Sequence, residues 1–334
     1  PPHPPATPAP GHENLFNDYV YRDRGYNETD LSDKPLWVRD NTLPDGDDSF
    51  VRNQLRSLQS IDQSVADIID KLAALGQLDN TVFIYTSDNG YLWGEHGLWG
   101  KNKVYEESIR VPMVVVMPGV ASRTDDHLVS ATLDVGPTVY ELAGVPRQSD
   151  GMSLVPLLQE PNAAWRNELF FEKTVSGNYD NAIWAALRRG EWKYVRYWTG
   201  EEEFYNLLSD PYELESRHND ASVSSIKATL AARTTELLGL GIVPVKWFPP
   251  ATVNRNYNYQ LSTWGGVAPF TWRIASGQLP PGLTLNATTG AIQGTATASG
   301  TFNFTVRVTD SSVASHSQIP RTFETDTFKI VVNP

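Results

Sequence analysis

The stretch TVFIYTSDNGYLWGEHGLWGKNKVYEESIRVPMVVVMP, from Thr81 to Pro118, decides how the rest of the chain is read. It opens on a short apolar, β-branched run, Thr81 to Thr86, and closes on a second, Val111 to Met117. Apolar runs of roughly 4–8 residues bounded by turn residues mark buried strands. Between the runs stand the oxygen donors Asp88 and Asn89, then His96 and Lys101, with glycines at 90, 94, 97 and 100. In open α/β sheets ligands sit outside the carboxyl ends of the strands. Asp88-Asn89 falls just past the end of the first run, so chemistry is expected there.

Upstream, Leu55, Leu58, Ile61, Val65, Ile68, Ile69, Leu72 and Leu75 recur at steps of three and four. This spacing predicts one buried helical stripe, stopped by Gly76 as a left-handed cap. A helix leading directly into a strand is the αβ unit of a doubly wound sheet with parallel strands. Asp47-Asp48 follows Pro44-Asp45-Gly46 and reads as a helix start, where acidic residues meet the positive end of the macrodipole. Downstream, Leu133 to Ala143 reads as a helix with Pro137 near its first turn and Gly144 at its end.

The donors themselves admit two readings. Asp88 and Asn89 supply a carboxylate and an amide carbonyl, hard oxygens that suit Ca²⁺, while Asp-Asn-Gly is also ordinary turn chemistry. Lys101 by itself reads as a solvated surface lysine. His96 meets a substrate or braces its loop. His3, in PPHPPATPAP, by itself reads as a solvated residue in a Pro-rich arm. Asp125-Asp126-His127 reads as a solvated turn, and Arg110 as an ion-pair partner.

Composition bounds the classes. The chain has 334 residues, 10 Trp, no Cys and a net charge of −12. The negative charge argues against nucleic-acid binding. No apolar run reaches the roughly 18 residues of a membrane span. Without cysteine there is no disulfide and no thiolate metal site. Such a chain fits a bacterial extracytoplasmic protein, periplasmic, secreted or at the cell surface. Residues 244–250, with Pro244, Pro249 and Pro250, read as a linker between a region 1–243 and a region 251–334. The second region loses charge and gains Thr, Gly and Asn. Its alternating runs, such as Thr301 to Thr309 and Phe328 to Val332, predict a β-sandwich. AIWAALRRGEWKYVRYW alternates around Arg189-Gly190-Glu191 and predicts a hairpin. A last helix before the linker runs from about Ser222 to Leu238, with Ile226, Leu230, Leu237 and Leu238 on one side.

Four linked motifs carry a family likeness: Ser87-Asp88-Asn89-Gly90, Gly94-Glu95-His96-Gly97, Gly100-Lys101, and Tyr105-Glu106-Glu107-Ser108-Ile109-Arg110-Val111-Pro112. Together they resemble the formylglycine-dependent sulfatases of the alkaline phosphatase superfamily. The likeness runs from His3 to about His218, through Asp134-Val135-Gly136-Pro137-Thr138, Asp150-Gly151-Met152-Ser153-Leu154, Tyr205-Asn206-Leu207 and Asp210-Pro211. It is strongest to N-acetylglucosamine-6-sulfatases and bacterial glycosaminoglycan-type sulfatases, although Gly94-Glu95-His96-Gly97 departs from the pattern of the former. Pro280-Pro281-Gly282-Leu283-Thr284-Leu285, Thr289-Gly290 and Gly294-Thr295 resemble Ig-like or cadherin-like repeats of bacterial surface proteins.

The resemblance implies an α/β fold, a partial doubly wound, alkaline-phosphatase-like sandwich with a small antiparallel C-terminal subdomain, followed by an all-β Ig-like sandwich. It implies hydrolysis of a sulfate ester, with sulfated carbohydrate as partner. Asp88 and Asn89 become ligands of Ca²⁺, Lys101 a sulfate contact, His3 the general acid and His96 a substrate contact. The Ig-like module becomes a spacer or an attachment to glycan or cell surface. The family's formylglycine arises from Cys or Ser in C/S-x-P-x-R, and neither form occurs here. The expectation is a C-terminal part of a sulfatase domain, inactive alone. Two other readings stay open, a phosphodiester or phosphonate hydrolase of the same superfamily and a non-catalytic carbohydrate-binding or adhesion protein.

Overall fold

The computed structural model describes residues 3, 5–40, 48–145, 147–173, 183–242, 248–313, 320–325 and 327–334. The chain divides into two compact units. One comprises residues 1–169, 188–195 and 202–220, and the other comprises 170–187, 196–201 and 221–334.

In the first unit the helical period produces the helix Asp48–Ala74. Asp48 stands in its first turn, accepts the Tyr21 N–H at 3.3 Å and pairs with Arg22 at 3.1 Å; Asp45, Gly46 and Asp47 lie outside the described residues. The stop at Gly76 is as expected. Gly76 has φ +64°, and the Gln77 N–H donates to the Leu72 carbonyl at 2.9 Å. The stripe is not buried as expected. Val51, Gln54 and Ser57 are the buried residues, whereas Val65, Ile68, Ile69 and Leu75 are exposed. A period fixes which side chains share a face, but burial needs a facing surface, which the period does not encode.

The two apolar runs form the strands Phe83–Thr86 and Met113–Val116. They pair antiparallel, with Phe83 opposite Val116 and Thr86 opposite Met113. The doubly wound reading named no partner for either strand, and the pair they form with each other is antiparallel. A parallel neighbour needs a crossover of a dozen or more residues, usually a helix, that returns the chain to the same end. Residues 87–112 instead hold a hairpin, Leu92–Trp93 with Trp99–Gly100, and a one-turn helix, Glu106–Ile109.

The next helix is Ala131–Leu142, so Pro137 lies inside it rather than in its first turn. Proline there leaves the Leu133 carbonyl without its i+4 donor. Gly151 packs at that carbonyl, where a Cβ would come within 1.9 Å of Leu133 O. Two motifs meet here. The buried Asp134 carboxylate accepts the N–H groups of Ser130 and Met152 at 2.7 and 2.8 Å and both Arg166 Nη atoms at 2.6 Å, and Thr138 Oγ1 accepts the Leu154 N–H at 2.8 Å. Asp134 is therefore a structural carboxylate, fully satisfied inside the fold.

Strands Trp184–Arg189 and Trp192–Tyr197 flank a turn at Gly190, φ +58°, as the alternation predicts. Glu168–Lys173 and Glu202–Asn206 are two further strands.

The second unit holds the sandwich. One sheet is built on Gly300–Val313, which pairs antiparallel with Thr271–Gly277, Pro320–Glu324 and Phe328–Asn333. The other runs Asn256–Gln260, Ala291–Thr295, Leu283–Leu285. Its core includes Trp272, Ile292, Phe304, Val306 and Ile330. The same unit takes in the helix Ser224–Leu237, in which Leu230 is buried while Ile226 is 40% exposed. Of the expected linker, 244–247 lie outside the described residues. Just before it, Gly241–Ile242 pairs antiparallel with Thr263–Trp264. Trp264 then packs with Ile183, Ala185 and Leu238 in one buried cluster.

Candidate functional site

The first strand ends at Thr86, whose hydroxyl donates to the Pro112 carbonyl at 2.9 Å. Ser87 Oγ then closes a short turn on the Asn89 carbonyl at 2.8 Å. This turn carries Asp88, exposed, and Asn89, half-buried. Gly90 is required next. Its N–H donates to Ser108 O at 2.9 Å, and a Cβ on it would sit 2.0 Å from the Glu107 carbonyl. The helix Glu106–Ile109 thus backs the turn.

Lys101 follows the strand Trp99–Gly100, and its ammonium donates to Asn89 Oδ1 at 3.0 Å. Three of the residues expected to act together, Asp88, Asn89 and Lys101, are therefore one group. The Asp88 carboxylate has no ion-pair partner among the described residues, beside an amide oxygen that is already oriented. A free carboxylate and an amide carbonyl are donors of the kind Ca²⁺ prefers, and supply two of the about 6–8 oxygens it takes. The residues present fit that ion in kind.

His3 is exposed, in a turn closed by the Ala6 N–H on the His3 carbonyl at 2.9 Å. His96 is fully buried, at φ +54°, and stacked on Tyr105 with ring centroids 4.0 Å apart. Its Nδ1 lies 2.6 Å from Glu28 Oε2 and its Nε2 lies 3.8 Å from Glu107 Oε2. Glu28 is shared with the buried Lys34 at 3.3 Å. Burial works to lower the His96 imidazole, and the Glu107 and Glu28 carboxylates outweigh it, pushing it up to about 9. Of the two roles open to His96, this geometry supports the brace. A fully enclosed imidazolium between two carboxylates holds the hairpin turn 94–97.

The neighbouring Glu95 is also buried. It accepts the Tyr21 hydroxyl and the Trp93 N–H, and burial is the main cause that pushes its carboxyl up. Glu106, at the start of the one-turn helix, faces Lys193 at 3.2 Å and Arg188 at 3.4 Å. Burial works to raise its carboxyl, and those two cations together with Arg110 hold it below the usual range. Asp125 is exposed and paired with Arg123 at 3.2 Å and His127 at 2.6 Å. The motifs display Glu95, Glu106 and Glu107, but nothing local in the sequence tells which carboxylates are enclosed or by what.

A carboxylate, an amide and a lysine are thus gathered past the end of a strand in an α/β region. Residues 3–145 match the family model Sulfatase, residues 94–238 the model "N-sulphoglucosamine sulphohydrolase, C-terminal", and residues 247–332 the model "Putative Ig domain". Similar proteins include an arylsulfatase of Volvox carteri, 29% identical over 80% of this chain and 49% of its own length. Another is an N-acetylglucosamine-6-O-sulfatase of Bacteroides thetaiotaomicron, 28% identical over 66% of this chain and 39% of its own. The solved structure of a phosphonate monoester hydrolase from Silicibacter pomeroyi shares the fold, with a TM-score of 0.58 at 20% identity over 70% of this chain and 53% of that one. The likeness to sulfatases therefore extends over residues 3–238, through two models of which neither spans half of the chain. The chain spans half or less of the length of these curated relatives.

Proposed function

We propose that the protein containing these residues hydrolyses sulfate esters, with sulfated carbohydrate as its substrate class. The observation that carries the reading is the contact of Lys101 with Asn89 beside a carboxylate that no cation among the described residues partners. Lys101 has three N–H donors, and Asn89 takes one. The other two face a sulfuryl oxygen and stabilise the charge that grows on it as the S–O bond breaks. His3 donates a proton to the departing sugar oxygen, which leaves as an alcohol. Asp88 and Asn89 hold Ca²⁺, which when bound supplies Lewis-acid stabilisation of the same sulfuryl oxygens. His96 stays protonated and positions the hairpin that ends at Lys101. None of these roles supplies the attacking group, and no C/S-x-P-x-R motif occurs in these 334 residues.

The Ig-like module serves as a spacer or as an attachment to glycan or surface. An extracytoplasmic location fits such a substrate. No helix among the described residues is long and apolar enough to cross a membrane.

The test is sulfate release from a glucosamine 6-sulfate and from an aryl sulfate by the whole enzyme and its Lys101→Ala variant. The loss expected is about 10²-fold or more, the scale of one preorganised charge contact. Equal rates would make Lys101 a surface residue. Turnover of a phosphonate monoester in place of the sulfates would move the protein to the other hydrolases of the superfamily.

A further inference from the structure

Three enclosed charges take no part in the reaction above. Lys193 and Glu213 are fully buried, and Glu106 nearly so. Lys193 Nζ lies 2.7 Å from Glu213 Oε1 and 3.2 Å from Glu106 Oε1. A buried ion group of this kind is a poor source of stability compared with apolar residues of the same volume. Its location is therefore the thing to explain.

Glu213 closes the turn Asp210-Pro211-Tyr212-Glu213. The Asp210 carboxylate accepts the N–H groups of Leu214 and Glu215 at 3.1 and 3.0 Å. Glu213 itself is held at φ +53°, a left-handed conformation that costs a non-glycine residue free energy. Its two carboxylate oxygens have different partners, Oε1 facing Lys193. Oε2 accepts the backbone N–H of Glu106 at 2.7 Å, at the start of the helix Glu106–Ile109. This is one of the N–H groups that a helix start leaves without an internal partner.

The far end of the same helix touches the site. Ser108 O accepts the Gly90 N–H at 2.9 Å, and the Glu107 carbonyl occupies the space a Gly90 Cβ would need. Gly90 O accepts the Asn89 amide at 2.8 Å, and Asn89 Oδ1 accepts Lys101. Every step in this path is a backbone contact or a short hydrogen bond. A shift of the helix would move Gly90 and the donors before it.

We propose that Glu213 is a positioning residue for the candidate site: its carboxylate pins the Glu106–Ile109 helix, and the helix sets the turn that presents Asp88 and Asn89. The consequence for a bound cation rests on the metal reading of those two residues.

Two substitutions separate the hydrogen bond from the charge. Glu213→Gln keeps an oxygen that accepts the Glu106 N–H and removes the charge facing Lys193. Glu213→Asp keeps the charge and withdraws the oxygen by one methylene. Backbone hydrogen exchange of the 334-residue chain is the readout, compared between segment 86–110 and the helix Ser224–Leu237. The expected result is exchange about tenfold faster or more in 86–110 for Glu213→Asp alone, the scale of one lost hydrogen bond to a charged group. Glu213→Gln should leave that segment near wild type even where its melting temperature falls. Faster exchange in the Gln variant equal to that in the Asp variant would overturn the proposal, as would faster exchange everywhere alike or none in 86–110. A calcium chloride titration of the same three proteins separates the two readings. Wild-type binding that weakens in the Asp variant supports positioning of a metal site. No binding in wild type removes the metal reading and leaves exchange to judge the helix contact.

Discussion

Raising the pH should weaken the fold through His96. Its imidazole is fully buried, 2.6 Å from Glu28 and 3.8 Å from Glu107, and is pushed up to about 9. In the unfolded chain an imidazole titrates near ~6.5. A group whose folded value is raised contributes stability that is fully present below the unfolded value and lost as pH rises through the folded one. The window is therefore about 6.5 to about 9. Each tenfold gain in proton affinity on folding is worth about 1.4 kcal/mol, so the contribution is on the order of 3 kcal/mol. Urea unfolding at pH 6, 7.5, 9 and 10 reads it directly. The control is His96→Asn, since Asn tolerates the left-handed backbone at φ +54° and carries no titrating ring. The variant is less stable at pH 6, where Glu28 and Glu107 have lost their shared cation. Its stability should then change little across the window in which wild type loses about 3 kcal/mol. Titrating groups away from His96, Glu28 and Glu107 act in both proteins and cancel in the comparison. Parallel curves for the two proteins would refute an imidazolium brace.

Asp88→Ala should lower Ca²⁺ affinity and sulfate release together in the whole enzyme, and matching calcium titrations for wild type and variant would remove Asp88 from the metal shell. Trp264→Ala should destabilise the chain by about 3–5 kcal/mol, the usual cost of emptying a buried Trp site. That residue is 6% exposed and covers Ile183, Ala185 and Leu238; a denaturation midpoint unmoved by the change would mean that the cluster is dispensable. The 334-residue chain alone should release no sulfate from an aryl sulfate at any Ca²⁺ concentration, because it carries charge-stabilising groups without the family's nucleophile motif. Multiple turnover by the purified chain would show that an attacking group exists among these residues.

Much of this was legible in the chain itself, wherever the physics is local. Strand ends before Asp88 and Met113, the stop at Gly76 and the alternating strands of the sandwich follow from periods and turn residues a few positions apart. The grouping of Asp88, Asn89 and Lys101 also emerged, because a hairpin of short strands returns the chain to its starting point within a dozen residues. What the tertiary structure alone decided are the partners of enclosed charges and the faces that are covered. Glu28 meets His96 across 68 positions, and Glu213 meets the Glu106 N–H across 107. No period spans such distances, and a glutamate in a motif looks the same whether it faces water, a metal or a buried lysine. The antiparallel pairing of Phe83–Thr86 with Met113–Val116, the exposed half of the stripe at Val65 and Ile68, and the packing of Trp264 on Leu238 are of the same kind. Each depends on which surface arrives from elsewhere in the chain. Desolvation and pairing, the forces that fix these choices, act only once that surface is in place.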